Sequence, residues 1–213
     1  MSGSAGERKG ILGGTFNPPH IAHLIVAHVV RESLDLSEVV LTPSFQHAFK
    51  GDAEASPRDR ATMTELAVAG DAGLIADRIE VDRGGVSYTV DTLMALRERE
   101  PDTRWHLIIG LDNVAELAAW DRIELLPELA EIVVTSRGSS AVPGSLPDFP
   151  LAGGYTPVTV PALEISSSQI RDRVRRRRSI RYWVPPAVEA YILEHGLYRS
   201  QSPGDIDPGT KKA

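Results

Sequence analysis

Residues 10–23 read GILGGTFNPPHIAH, and this stretch decides the fold class of the chain. A short apolar run ends at Gly13 and Gly14, and apolar residues at helical spacing follow from position 21 to position 34. The pattern predicts a strand, a tight turn and a helix. In a parallel sheet such a turn lies at the carboxyl edge of the strands, where ligands bind.

Apolar runs and segments of helical period alternate along the rest of the chain. Further strands are predicted at 39–42, 76–81, 106–109, 132–135 and 158–160. Helices are predicted at 57–69 after an N-cap at Ser56, at 89–100, 168–177 and 186–194, and at 114–130 with breaks near Trp120 and Pro127. This order predicts an α/β fold, a Rossmann-like doubly wound parallel sheet with helices on both faces.

The length of 213 residues suits one domain with a small addition. We expect a flexible N-terminus at 1–8, a single domain at 9–199 and a disordered tail at 200–213. The domain would end in a small helical portion at about 166–199. Pro, Gly and Ser are frequent in 139–157, which we expect to be a loop.

Composition excludes several classes of function. There are no cysteines, so disulfides, thiolate metal sites and a cysteine nucleophile are ruled out. The sequence has no signal-peptide pattern and no apolar run of about 18 residues, so we expect a cytoplasmic protein with no membrane partner. A net charge of −6 and an aromatic content of 6% disfavour a nucleic-acid partner.

His20 and His23 are three residues apart and should project from one face of the first turn of the helix. That turn offers N–H groups and the positive end of the helix dipole, while the glycines let the backbone approach a phosphate. Two imidazoles there suit polyphosphate binding and the stabilisation of charge during nucleotidyl transfer. Taken alone, a Gly-Gly turn and a histidine pair are more often structural, and neither a Walker A nor a zinc-protease pattern is present.

The full string Gly13-Gly14-Thr15-Phe16-x-Pro18-x-His20-x-x-His23 resembles the signature of the nucleotidyltransferases with a histidine-containing nucleotide-binding turn. Among these, the chain is most similar to the nicotinate mononucleotide adenylyltransferases. Similar motifs follow in the same order at 87–93 (SYTVDTL), 109–112 (IGLD) with Trp120, 165–171 (ISSSQIR), 179–185 (SIRYWVP), 191–192 and 197–198. The resemblance extends over about residues 9–199.

The resemblance implies that His20 and His23 are catalytic and that the motif around Ser167 and Arg171 binds the β and γ phosphates of ATP. Hydroxyls, a helix N-terminus and a forked guanidinium also suit a triphosphate on chemical grounds. The implied ATP-binding residues are Gly13, Gly14, Thr15, Phe16, Asn17, His20, His23, Ser167, Ser168, Ile170 and Arg171.

The resemblance also implies a second pocket, for the pyridine mononucleotide. Trp120 would stack on the pyridine ring, although the sequence fits a core tryptophan equally well. Tyr88 and Thr89 would lie near the substituent of the ring, and Asp112 near the ribose hydroxyls or a metal ion. His47 and Lys50 would bind the mononucleotide phosphate.

The implied reaction is adenylyl transfer from ATP to nicotinate mononucleotide in NAD biosynthesis, giving deamido-NAD and pyrophosphate. Mg²⁺ would be the cofactor, bound mainly by phosphates, with Asp112 as the one candidate protein ligand. The alternatives are a nicotinamide mononucleotide or phosphopantetheine acceptor, or a non-catalytic nucleotide sensor. A phosphopantetheine acceptor is disfavoured because those enzymes usually carry threonine at the position of His20. A homo-oligomer is compatible with the sequence.

Three features depart from the usual pattern of the resembled family. Asn17 stands where aspartate is usual, and Ala22 where glycine is usual. Asn17 keeps the hydrogen-bonding shape but loses a charge, and Ala22 adds a methyl group where adenine would pack. The arginines at 175–178 form an unusual run that favours a solvated helix face over a nucleic-acid patch.

Overall fold

The computed structural model describes residues 6–48, 53–138, 146, 149–151 and 153–199. The strands are β1 (Arg8–Gly14), β2 (Glu38–Pro43), β3 (Gln46–His47), β4 (Leu74–Ala76), β5 (Val86–Ser87), β6 (Arg104–Gly110), β7 (Glu131–Arg137) and β8 (Thr156–Val160). The α-helices are α1 (Ile21–Ser33), α2 (Pro57–Val68), α3 (Ile79–Arg83), α4 (Thr89–Arg99), α5 (Leu111–Val114), α6 (Leu126–Leu129), α7 (Ser167–Arg175) and α8 (Pro186–Glu194).

Six strands form one parallel sheet in the order β4-β2-β1-β6-β7-β8. The chain builds outward from β1 on one side and from β6 on the other, so the topological switch point lies between these two strands. In open α/β sheets, ligands bind in the crevice at the carboxyl ends of such a pair of strands. The predicted α/β doubly wound fold is confirmed.

Both faces of the sheet are covered, because successive side chains along each strand point to opposite sides. Leu107 and Ile109 pack with α4 on one face, whereas Ile108 between them packs with α1 on the other. A third core joins α2, α7 and α8 through Met63, Ile170 and neighbouring apolar residues. This third core attaches the C-terminal helices to the sheet domain beside the turn that follows β1.

The strand predicted at 76–81 is wrong in most of its length. Strand β4 ends at Ala76, and residues 79–83 are helical. The cause is Asp77, whose Oδ1 accepts a hydrogen bond from the N–H of Ile79 at 2.8 Å and turns the chain. The helix that follows buries Glu80, which is only 7% exposed.

The long helix predicted at 114–130 is divided into short pieces. These are α5, two 3₁₀ turns at Leu117–Ala119 and Ile123–Leu125, and α6. The break at Trp120 is confirmed, because this residue ends the first 3₁₀ turn in an extended conformation. Pro127 does not break a helix but lies in the first turn of α6, where its missing N–H costs nothing.

Two further differences concern short strands. The loop predicted at 139–157 ends two residues earlier, because β8 begins at Thr156. Strands β3 and β5 were not predicted and form a separate two-stranded parallel ladder.

Within the described residues no helix is long and apolar enough to cross a membrane. The predictions for residues 1–5 and for the tail from position 200 lie outside the described residues.

Candidate active site

A cleft of about 980 Å³ opens at the carboxyl ends of β1, β2, β6 and β7. Two walls face it. The histidine wall is formed by residues 13–23 and 167–171, and the tryptophan wall by residues 44–47, 87–89 and 110–121. The residues predicted for both substrates that line the cleft are Gly13, Gly14, Thr15, Asn17, His23, His47, Tyr88, Thr89, Asp112, Trp120, Ser167, Ser168 and Arg171. The structure therefore brings the two predicted half-sites together.

The glycine turn exposes its backbone at Gly13 and packs a ring against Gly14. A Cβ on Gly14 would come within 3.1 Å of the Phe16 ring, so the missing side chain lets that ring fold under the turn. Phe16 is 3% exposed and has a φ of 47°, and the Asn17–Pro18 peptide that follows is cis. Phe16 thus supports the turn from behind the cleft wall.

His20 is the N-cap residue of α1 and not part of its first turn, whereas His23 is the third helical residue. Their rings stack with centroids 3.6 Å apart and an angle of 18° between the planes. The Nδ1 atom of His23 accepts a hydrogen bond from the backbone N–H of His20 at 3.2 Å. His23 faces the cleft, and His20, only 4% exposed, lies directly behind it.

Burial, together with the positive charge of Arg137, lowers the pKa of His20 from 6.5 to about 4. Burial also lowers the pKa of His23 well below its ordinary value, with additional repulsion from His20 and Arg137. Both imidazoles are therefore neutral near pH 7. A neutral imidazole can donate one hydrogen bond to a phosphate, and nearby anionic phosphate favours its protonation.

The turn is tied to the C-terminal portion through Asn17. Its Oδ1 accepts hydrogen bonds from the hydroxyl of Tyr198 at 2.8 Å and from the N–H of Ala55 at 3.3 Å. The Asn17 carbonyl accepts from Arg171 Nη1 at 2.8 Å. Asn17 is 6% exposed, so an amide oxygen here satisfies two buried donors without burying a charge. Asparagine in place of the usual aspartate at this position is thus compatible with an intact turn.

The start of α7 forms the other part of the histidine wall. Ser166 caps the helix: its Oγ accepts from the N–H of Gln169 at 3.2 Å, and the Gln169 Oε1 accepts from the N–H of Ser166 at 2.9 Å. Among the described residues no group accepts from the N–H groups of Ser167 and Ser168, which line the cleft. This is the arrangement of an anion site at a helix N-terminus.

Arg171 reaches the cleft one turn further along α7. Its Nε donates to Glu54 Oε1 at 2.7 Å, and its Nη2 donates to Ser168 Oγ at 3.3 Å. The neighbouring Ile170, also predicted to bind ATP, is fully buried in the C-terminal core and does not reach the cleft wall. Its side chain therefore holds α7 in place.

The tryptophan wall begins at the carboxyl end of β6. A Cβ on Gly110 would collide with Asp112 Oδ1, so the glycine is needed for the carboxylate to fold back over the backbone. Tyr88 precedes α4 and Thr89 is the first residue of that helix. Trp120 is half-buried: it packs against the main core and also lines the cleft, so a core position and contact with a ligand are compatible. Lys50 lies outside the described residues.

Comparison with known proteins agrees with this geometry. A family model described as cytidylyltransferase-like matches residues 11–173. The probable nicotinate-nucleotide adenylyltransferase of Salinibacter ruber is 42% identical over 191 residues, 89% of this chain and 97% of the relative. That of Streptococcus pneumoniae serotype 4 is 42% identical over 193 residues, 90% of this chain and 89% of the relative. The chain belongs to the nicotinate-nucleotide adenylyltransferase family.

A solved structure supports the same fold. The Plasmodium falciparum nicotinic acid mononucleotide adenylyltransferase complexed with NaAD superposes with a TM-score of 0.72 at 22% identity, covering 90% of this chain and 97% of that one. As a member of this family the chain is a nucleotidyltransferase, and the cleft is its candidate active site.

Sequence reasoning missed several polar residues of this nucleotidyltransferase site. Thr42 and Ser44 follow the apolar part of β2, and Arg137 ends β7. All three line the cleft, and the hydroxyls of Thr42 and Ser44 are buried without a hydrogen-bond partner among the described residues. The available signal was a polar residue directly after a buried parallel strand, since such positions meet at the carboxyl edge.

Adenylyl transfer from ATP generally uses a divalent metal ion, and the donor set here fits one bound mainly by the substrates. Among the described residues no group of three His, Cys, Asp or Glu side chains could hold a metal. Asp112 alone among the predicted residues presents a carboxylate to the cleft. Mg²⁺ is commonly coordinated by one or two carboxylates together with substrate phosphates and several water molecules.

Proposed function

We propose that this chain transfers the AMP part of ATP to nicotinate mononucleotide, forming deamido-NAD and releasing pyrophosphate. The observation that carries the proposal is one cleft that His23 and Arg171 line together with Tyr88, Asp112 and Trp120. One wall has the chemistry of a triphosphate site, and the other has an aromatic plane beside a helix start. Membership of the family supports the same reaction.

On the histidine wall, we assign triphosphate binding to the α7 start and to the histidine turn. The N–H groups of Ser167 and Ser168 and the guanidinium of Arg171 would bind the β and γ phosphates. His23 would donate a hydrogen bond to the phosphate oxygens that gain charge during transfer, with the ring of His20 stacked behind it. Because the two rings stack, His20 fixes the orientation of His23.

On the tryptophan wall, Trp120 would stack on the pyridine ring. The helix start at Tyr88 and Thr89 offers N–H groups to the ring carboxylate, since an anion is favoured at this end of a helix. His47, and Lys50 beyond it in the sequence, would bind the mononucleotide phosphate. Asp112 would accept hydrogen bonds from ribose hydroxyls or ligate the metal.

The reaction needs no covalent protein intermediate, because the nucleophile arrives with the substrate. An oxygen of the mononucleotide 5′-phosphate attacks the α-phosphorus of ATP, and the bond from that phosphorus to the bridging oxygen breaks. The electron pair leaves with pyrophosphate. The chain would contribute alignment and stabilisation of developing charge. Mg²⁺, when bound, would neutralise phosphate charge, with Asp112 as a protein ligand.

Pyrophosphate release tests this function. Purified protein is mixed with ATP, Mg²⁺ and either nicotinate or nicotinamide mononucleotide, and a reaction without acceptor corrects for ATP hydrolysis. Fast release with the acid form supports the proposal. Release with the amide form only would contradict the acceptor, and ATP binding with no release from either acceptor would contradict the enzymatic function.

A further inference from the structure

Among the described residues, Arg60 is the largest fully buried side chain after Trp105, and it is 1% exposed. It lies in the first turn of α2, and its guanidinium donates to three backbone carbonyls from separate segments. Nη1 donates to Thr15 at 2.7 Å, Nη2 to Phe45 at 2.8 Å and Nε to Ala55 at 3.3 Å. Each of the three guanidinium nitrogens therefore donates to the backbone.

This cation is buried without an ion pair. Among the described residues no carboxylate oxygen lies within 4.0 Å of its guanidinium nitrogens, and Glu80 attracts it only from a greater distance. Burial accordingly lowers the pKa of Arg60. A buried unpaired charge is costly, and three charge-assisted hydrogen bonds offset that cost only where their geometry is good. The geometry of these three carbonyls is consequently tightly constrained.

The three carbonyls belong to both sides of the cleft. Thr15 is part of the glycine turn on the histidine wall, and Phe45 precedes His47 on the tryptophan wall. Ala55 also donates its N–H to Asn17, so it adds a second link between Arg60 and the glycine turn. Arg60 itself does not reach the main cleft. It can influence substrates only through the backbone segments that it holds.

We propose that Arg60 is a positioning residue that fixes the spacing between the ATP-binding turn and the segment that carries His47. The inference rests on the proposed function, because this spacing sets how the acceptor phosphate meets the α-phosphorus. In-line attack depends steeply on alignment, and a displacement of about 1 Å can lower turnover by about 100-fold. Binding of either substrate alone depends on only one wall and is much less sensitive.

The test compares Arg60→Lys and Arg60→Gln with Met63→Ala. Lysine keeps the charge without the fork, and glutamine keeps up to two donors without the charge. Met63 lies on the same helix, is fully buried and packs in the C-terminal core, so its truncation destabilises the fold without removing a hydrogen bond to either wall. All variants are assayed at a temperature at which unfolding curves show them folded, and either Arg60 variant suffices if the other does not fold.

We expect kcat to fall by about 10- to 100-fold in the Arg60 variants, with the Kd of ATP alone and of the mononucleotide alone changed by less than about threefold. Met63→Ala should keep kcat within about twofold. Equal kcat values in the Arg60 variants and Met63→Ala, or a loss confined to the Kd of one substrate, would overturn the proposal.

Hydrogen exchange separates this proposal from the proposed function. The amides at 13–17 and 45–47 should lose protection together in the Arg60 variants and keep it in Met63→Ala, whatever the chain catalyses. If wild-type protein releases no pyrophosphate, the proposed function is wrong, but hydrogen exchange still tests whether Arg60 holds the two segments. Unchanged protection at both segments would show that Arg60 does not hold them.

Discussion

The two walls of the cleft are held in place by different kinds of contact. On the histidine wall, Asn17 and His20 are almost fully buried. Hydrogen bonds from Tyr198 and Arg171 to Asn17 fix the turn. On the tryptophan wall, the part at 110–121 consists of short helical turns, which continue to position 125. Its ion pairs from Arg122 to Asp91 and Asp121 are close to 40% exposed.

This difference indicates where the site is preorganised. Hydrogen bonds among buried groups are strong and costly to break, because the local dielectric constant is low and no water replaces a lost partner. Exposed ion pairs contribute little and are screened by salt. Substitutions on the histidine wall should therefore have large effects, and those at the exposed edge of the tryptophan wall small ones.

The largest effect is expected for His20→Ala. The His20 ring holds His23, whose imidazole faces the developing phosphate charge, so its removal should misalign that donor and lower turnover by about 100-fold. The fold should remain intact, as judged by circular dichroism and thermal unfolding. The matched control is His28→Ala, since His28 lies on the same helix, is partly exposed and bonds to Asp71 away from the cleft. Near-normal turnover of His20→Ala would remove this residue from the catalytic assignment.

The buried state of His20 also predicts a pH dependence of stability. Its pKa is about 4 in the folded chain and 6.5 when unperturbed, so between these values the unfolded state binds more protons. The free energy of unfolding should thus fall as pH falls from 6.5 to 4, by up to about 3 kcal/mol from this residue. Urea unfolding at several pH values should show a shallower slope for His20→Gln than for wild type. Parallel slopes would contradict burial of a neutral imidazole.

A smaller effect is expected for Trp120 on the tryptophan wall. Loss of stacking in Trp120→Ala should raise the KM for the mononucleotide by about tenfold, since stacking on an aromatic side chain contributes about 1–3 kcal/mol. The KM for ATP should stay within about twofold. Trp120→Phe should restore most of the affinity because it keeps an aromatic plane. An equal rise of both KM values would indicate that Trp120 acts through the core and not through the acceptor.

The smallest effect is expected for Arg122→Gln. This residue links the turn after Trp120 to α4 through exposed ion pairs, and such pairs contribute little. We expect the KM for the mononucleotide to rise by about threefold or less, with kcat unchanged, and the effect to diminish at high salt. An effect as large as that of Trp120→Ala would show that the tryptophan wall is as rigidly held as the histidine wall.

The sequence predicted most of the sheet, because β1, β2 and β6 contain short apolar runs that end at glycine or proline. It failed where a single side chain redirected the chain, as Asp77 does after β4. It also assigned His20 to the helix and not to its N-cap, since spacing alone does not distinguish the two positions. Phe16 and Ile170 were predicted to bind ATP, yet their side chains support the turn and α7 from behind.

The sequence by itself determined the α/β class, the glycine turn, the histidine pair and the motif at 165–171, because all of these are local patterns. Only the tertiary structure decided which residues lie across from one another. Arg60 carries no local signal, since its role depends on the carbonyls at 15 and 45, which are distant from it in sequence. The position of Arg137 at a strand end is a local signal, but its effect on the histidine pair depends on the fold. Burial, which sets the pKa of both histidines, likewise depends on how the C-terminal helices pack against the turn.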